Sequence, residues 1–186
     1  MEINKASVIG LGYIGLPTAA ALATQKISVL GIDVNKSTVD TINQGKIHIV
    51  EPELDVAVQA AVTRGYLHAS LTPEPADAFL IAVPTPFIDD HEPDLSYIHG
   101  TLENIKPYLK ENQLLVLEST TYPGTTEEIL VPFIESIPDS SLTTHHSSLF
   151  TIGENFFIGY SPEREDPGNK DFTTKTIPKV VSGVTE

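Results

Sequence analysis

No cysteine and no tryptophan occur among the 186 residues, and methionine occurs once. Without cysteine the chain forms no disulfide, offers no thiolate to a metal and supplies no cysteine nucleophile. Basic residues are scarce as well: 11 Lys and Arg stand against 25 Asp and Glu, a formal net charge of −14. Those few cations are scattered, so the clustered positive charge that neutralises nucleic-acid phosphates is missing, and nucleic acid is not expected as a partner. An anionic ligand must be held by local donors rather than drawn in from a distance. No apolar run approaches the ~20 residues of a membrane-spanning helix, so no membrane partner is expected either. The opening Met-Glu-Ile-Asn-Lys leads straight into a strand pattern and lacks the regions of a signal peptide, which makes the expected location cytoplasmic.

What is present suits one globular domain with a substantial core: 40% hydrophobic and 19% charged residues. The organising stretch is Ala6 to Pro17. An apolar run ends at Gly10, and Gly10, Gly12 and Gly15 fall in G-x-G-x-x-G spacing before an alanine-rich helical run, Thr18 to Ala23. Gly10 permits the tight turn off the strand, Gly12 lets backbone approach a pyrophosphate, and Gly15 lets helix pack on strand. The helix N-terminus adds unpaired N–H groups and a positive dipole end. A second apolar strand, Ile27 to Ile32, ends in Asp33, which stands 18 residues after Gly15. A carboxylate there accepts hydrogen bonds from an adenosine ribose and repels a 2′-phosphate, favouring NAD over NADP. Lys36 lies near enough to soften that preference. The bland alternative is an unrelated glycine turn, with Asp33 capping the next helix.

Helices are expected over Lys36 to Asn43 and from about Glu53 to Thr63, then a short strand at Tyr66 to Ala69 and another helix start at Thr72-Pro73-Glu74. Ala78 to Val83 is the continuous apolar run of a strand buried on both faces, stopped by Pro84-Thr85-Pro86. A polar loop from Phe87 to Asp94 precedes a helix from Leu95 to Leu109, whose last turn Pro107 breaks. Gln113 to Glu118 is a strand, followed by a helix from about Thr125 to Ile134. Ser136 to Ser148 reads as an exposed loop; Asn155 to Tyr160 and Lys179 to Val184 read as strands. The order predicts an α/β fold: a Rossmann-type, doubly wound, mostly parallel sheet with helices on both faces.

Three strand ends deliver polar groups to one edge: Thr85 beside Val83 and Pro84, the pair Ser119 and Thr120, and Glu163. A hydride-transfer site needs a group to orient a water or take a proton and donors to stabilise charge on an oxygen. Thr120 and Glu163 could fill those roles; equally, Thr120 could be a helix cap or turn hydroxyl, and Glu163 could belong to a solvated charge run. Tyr13, beside Ile14 in the glycine turn, either lies over cofactor phosphates or packs on the next helix. His145-His146 and Asp89-Asp90-His91-Glu92 lack metal-ligand spacing, and no metal site is expected.

Taken together and in order, Gly10-Leu-Gly12-Tyr-Ile-Gly15-Leu-Pro, Asp33, Val83-Pro84-Thr85-Pro86, Glu118-Ser119-Thr120-Thr121-Tyr122-Pro123-Gly124-Thr125 and Ser161-Pro162-Glu163-Arg164 resemble the N-terminal domain of the UDP-glucose/UDP-mannuronate dehydrogenases, the nucleotide-sugar 6-dehydrogenases. The likeness runs from about Ser7 to Gly183. It implies oxidation of a UDP-sugar C6 hydroxyl to a carboxylate with two NAD, by way of an aldehyde, a cysteine thiohemiacetal and a thioester that water hydrolyses. It assigns the pyrophosphate to Gly10, Gly12 and Gly15, the adenosine ribose to Asp33, the nicotinamide side to Thr85 and Thr120, and thioester hydrolysis to Glu163, with Arg164 beside it on the substrate side. Thr120 would also position water or the reacting oxygen.

The glucose-oxidising branch carries a second glutamate where Pro167 stands, so the loop is more like the N-acetylhexosamine branch. That suggests UDP-N-acetylglucosamine as substrate, with UDP-N-acetylmannosamine second. The family's cysteine, and a lysine and asparagine on a central dimer-forming helix, lie beyond Glu186. The resemblance therefore implies a homodimeric full-length enzyme, and a chain that by itself binds NAD without completing the oxidation and is monomeric. The alternatives are a stand-alone NAD-binding regulatory module or a domain of another NAD-linked hydroxy-acid dehydrogenase.

Overall fold

The computed structural model describes residues 2–88, 92–139, 148–162 and 179–185. Among them one seven-stranded sheet has the order β3-β2-β1-β4-β5-β6-β7. Its strands are β1 (Lys5–Ile9), β2 (Ser28–Ile32), β3 (Leu67–Ser70), β4 (Ala78–Ile81), β5 (Gln113–Leu117), β6 (Phe156–Tyr160) and β7 (Ser182–Gly183). The first six are parallel, with β1 paired to both β2 and β4, and only β7 runs antiparallel, against β6.

Side chains of a strand alternate between faces, and here both faces are apolar. Ala6, Val8, Val29, Leu67, Ala78 and Leu80 pack into one core with helices α1 (Gly15–Thr24), α2 (Lys36–Asn43) and α3 (Leu54–Thr63). Ile9, Leu30, Ile32, Phe79, Ile81, Leu115 and Leu117 pack into the other, with α4 (Ser96–Ile105) and α5 (Val131–Glu135). The strands therefore read as unbroken apolar runs, as a sheet covered on both sides requires. The doubly wound sheet expected from the sequence is the fold observed.

Four local expectations change. Residues 71–77 hold no helix: Ser70 Oγ accepts the Thr72 N–H at 3.1 Å, and Pro73 and Pro75 remove donors while pushing the residue before each out of helical dihedrals. The final strand shrinks from Lys179–Val184 to Ser182–Gly183. α4 passes at Lys106–Tyr108 into a 3₁₀ turn carrying Pro107. The helix expected from Thr125 splits into a wide π turn, Thr126–Leu130, and the short α5. Pro132 has no N–H for the carbonyl four residues back and its ring would strike it, so the wider turn relieves the clash.

Candidate functional site at the carboxyl edge of the sheet

The carboxyl ends of β1, β2, β4, β5 and β6 share one edge, and the chain reverses its winding between β1 and β4, where open α/β sheets bind ligands. The three glycines of the first turn answer three different constraints. Gly10 has φ +91°, donates its N–H to Ile32 O at 2.8 Å, and would put a Cβ 2.5 Å from Ala82 O. A Cβ on Gly15 would lie 1.7 Å from Gly10 O. Around Gly12 nothing comes within 4 Å of such an atom, so backbone there faces open space. α1 follows with Ile14 at its N-cap and no side-chain cap, leaving the helix N-terminus to other partners. Tyr13 is 47% exposed and so does not pack into the interior.

Asp33 closes the turn. Its Oδ2 accepts the Leu11 N–H at 3.0 Å and its Oδ1 accepts the Asn35 N–H at 2.8 Å. Each carboxylate oxygen keeps a second lone pair for a ligand. The cap of α2 is Asn35, whose side chain accepts from Ser37 N at 2.9 Å, so Asp33 is not a helix cap. Lys36 is engaged with Asp40 at 2.5 Å on its own helix, in an exposed ion pair. Two features here escape sequence reasoning. Leu11 packs over Gly31, where a Cβ would lie 2.8 Å from the leucine Cδ2. Val34 and Leu71, at the adjoining ends of β2 and β3, are apolar yet 96% and 47% exposed.

At β4 and β5 the two emerging loops are fastened to each other reciprocally. Ser119 Oγ donates to Val83 O at 2.7 Å, and Thr85 Oγ1 donates to Thr120 O at 2.6 Å. Ser119 is buried while Thr120 and Pro84 are exposed. The hydroxyl protons of Ser119 and Thr85 are thus spent on main chain, and what these groups can still offer is an acceptor lone pair. The helical turn that follows has Thr125 at its N-cap, so Thr120 does not cap it. Sequence reasoning passed over Glu118: its side chain is 3% exposed and accepts Lys179 Nζ at 2.8 Å on Oε1, while Oε2 is buried without a partner.

Glu163 and Arg164 lie outside the described residues, as do His145, His146, Asp89, Asp90 and His91. Among the described residues no group of three or more His, Cys, Asp or Glu is disposed to hold a metal, and no helix is long and apolar enough to cross a membrane.

Residues 4–186 match the model of the UDP-glucose/GDP-mannose dehydrogenase family, NAD binding domain. Among curated relatives, a UDP-N-acetyl-D-mannosamine dehydrogenase of Yersinia pestis is 48% identical over 185 residues, covering 100% of this chain and 43% of its own length. An NDP-N-acetyl-D-galactosaminuronic acid dehydrogenase of Ralstonia nicotianae is 47% identical with the same coverage. The solved structure of the UDP-N-acetyl-mannosamine dehydrogenase of Staphylococcus aureus superposes with a TM-score of 0.83 at 37% identity, over 98% of this chain and 41% of that one. The chain thus spans under half the length of these relatives.

Proposed function

Because the chain belongs to the UDP-glucose/GDP-mannose dehydrogenase family as its NAD-binding domain, we propose that it is the cofactor half of a UDP-N-acetylhexosamine 6-dehydrogenase. The observation that carries this is the glycine turn closed by the Asp33 carboxylate, with an open Gly12 and an uncapped α1 at the winding switch. Those features fit a dinucleotide: a backbone approach for a pyrophosphate, N–H donors at a positive helix end, and an acceptor for a ribose diol.

In this reading Gly10, Gly12, Gly15 and the α1 N-terminus hold the pyrophosphate, bordered by Tyr13 and Ile14. Asp33 takes the adenosine ribose at a rim that includes Lys36, and Val34 with Leu71 gives the purine an apolar platform. Val83, Pro84, Thr85 and Ser119 form a fixed wall for the nicotinamide, preset by the reciprocal hydroxyl bonds. Bound NAD supplies the hydride acceptor. The exposed Thr120 hydroxyl orients the reacting oxygen or a water, Glu163 assists hydrolysis as base, and Arg164 meets the substrate. A covalent step through cysteine requires a residue that this chain does not carry. The names of the relatives, mannosamine and galactosaminuronate dehydrogenases, favour the N-acetylhexosamine class and put UDP-N-acetylmannosamine ahead of the gluco epimer that the Pro167 loop suggested.

Calorimetric titration with NAD, and NADP alongside, tests the reading. Saturable NAD binding at least tenfold tighter than NADP is expected, with the preference narrowed in Asp33→Asn, which removes the charge that repels a 2′-phosphate. A folded chain that binds neither nucleotide would overturn the assignment.

A further inference from the structure

The Asp33 carboxylate is held by a residue 22 positions before it in the chain, and that residue rests on a glycine in β2. Asp33 is tied down on every side. Its own N–H donates to Ser70 O at 3.2 Å, its Oδ1 accepts the Asn35 N–H at 2.8 Å, and its Oδ2 accepts the Leu11 N–H at 3.0 Å. Asn35 belongs to the same turn as Asp33. Leu11 belongs to the glycine turn after β1, so its N–H alone among these bonds joins the ribose acceptor to the pyrophosphate loop.

Leu11 reaches that place because of what is missing beneath it. On the sheet face covered by α1, α2 and α3, Val8, Gly31 and Ala69 pair across β1, β2 and β3 as one row. The middle member has no side chain, and Leu11 folds over it, fully buried in the same core. A Cβ on Gly31 would lie 2.8 and 2.9 Å from the two Leu11 Cδ atoms and 3.4 Å from its Cγ, and these are its three nearest atoms. Glycine weakens a strand interior, and Gly31 is not among the glycines of positive φ, so it answers a packing demand. A buried leucine in a close-packed core has no free volume to swing into. Pressure on its side chain therefore passes to its main chain, and so to the N–H that Asp33 accepts.

That N–H matters to a ligand. A carboxylate tethered through both oxygens presents its remaining lone pairs in one orientation, and such preorganisation favours binding. The ribose of NAD has a free 2′-hydroxyl to donate to it. NADP carries a phosphate at that oxygen, has no proton to donate there, and gains nothing from the orientation. We propose that Leu11 and Gly31 are positioning residues for the cofactor, setting NAD affinity and the preference over NADP through the Leu11 N–H bond to Asp33. The proposal rests on the NAD reading above and deepens it, since the Leu11 side chain is enclosed in the core and Gly31 lies beneath it.

Calorimetric titration with NAD and NADP, joined to amide hydrogen exchange of the unliganded chain, tests it. Gly31→Ala presses on Leu11 from the sheet, whereas Leu11→Val withdraws the branch that seats it; the second, a loss of one carbon, serves if the first does not fold. Each is expected to speed exchange at the residue 11 amide. Each is also expected to weaken NAD about tenfold and NADP no more than about twofold, the scale of one hydrogen bond to a charged group. Val58→Ala, in α3 of the same core, lowers stability through packing alone and is expected to keep the parental ratio of NAD to NADP affinity. A folded parent that binds neither nucleotide would overturn the cofactor reading and this proposal with it. A parent that binds NAD, with the ratio unaltered in the folded variants, overturns this proposal alone. So does a narrowed ratio with residue 11 exchange unchanged, and so does an equal narrowing in Val58→Ala.

Discussion

At the scale of single residues, Gly12 and Gly15 separate the demands of fold from those of ligand. A Cβ at Gly15 meets backbone at 1.7 Å, which no rotamer change can relieve. Gly15→Ala is expected to cost roughly 1–3 kcal/mol of stability, read by urea denaturation. Gly12 has no neighbour within 4 Å of the added atom. Gly12→Ala is therefore expected to stay within about 0.5 kcal/mol of the parent and yet weaken NAD binding tenfold or more in calorimetry. Equal NAD affinity in that variant would remove Gly12 from the proposed pyrophosphate site. At the opposite edge Asp77 Oδ2 accepts the N–H groups of Asn4 and Lys5 at 3.1 and 3.0 Å, with Lys110 Nζ 3.6 Å from Oδ1. The Lys5 backbone bond is the largest cause and outweighs the opposing effect of burial; with the Asn4 bond and the Lys110 charge added, it holds the pKa below the usual carboxylate range. A depressed native pKa gives stability that is present above the unfolded value of ~3.9 and lost as pH falls through the native one. Asp77→Asn should thus be about 1–2 kcal/mol less stable at neutral pH, and the gap to the parent should close under acid, in denaturation curves at both pH values.

At the scale of elements, the edge strand β3 shows how α2 guards the sheet. Asn43, the last residue of α2, donates Nδ2–H to Ala69 O at 2.9 Å and accepts Ala69 N–H on Oδ1 at 2.8 Å. The side chain imitates a neighbouring strand and closes an edge that would otherwise recruit another chain. Asn43→Ala is expected to lower stability by about 1–3 kcal/mol and to increase association, measured by thermal melting and light scattering together. Element boundaries were legible where local signals agreed: α2 runs from Lys36 to Asn43 as read from its sequence. They failed where prolines were misweighed, at Thr72-Pro73-Glu74-Pro75 and at Pro132, because a proline that could start a helix also forbids a nearby hydrogen bond. The lock between Ser119 and Val83 and between Thr85 and Thr120 could not be read at all, since it joins residues more than thirty positions apart.

At the scale of the molecule, the charge of −14 and the absence of cysteine make the proposed chemistry depend on geometry and on residues outside this chain. The chain spans 43% of the length of the relatives compared above. It is expected to bind NAD and to form no uronate from UDP-N-acetylmannosamine and NAD, followed by anion-exchange chromatography against a blank without protein. Formation of the uronate would show that the cysteine step is dispensable and would overturn its assignment in the proposed reaction.

The sequence by itself determined the alternation of strand and helix, the doubly wound class, the glycine turn and the acid ending β2. These rest on local rules: side-chain periodicity, glycine spacing and strand-to-helix order, all written along neighbouring residues. Only the tertiary structure decided that Asp33 ties down Leu11 and Asn35 and leaves the α2 cap to Asn35, that the Ser119 and Thr85 hydroxyls are committed to main chain, and that Glu118 is buried against Lys179. It also decided that a cleft opens between the β5 loop and β7. A polar side chain carries no sign in sequence of which donor or acceptor it will meet; that is fixed only when sheet register brings distant strand ends together.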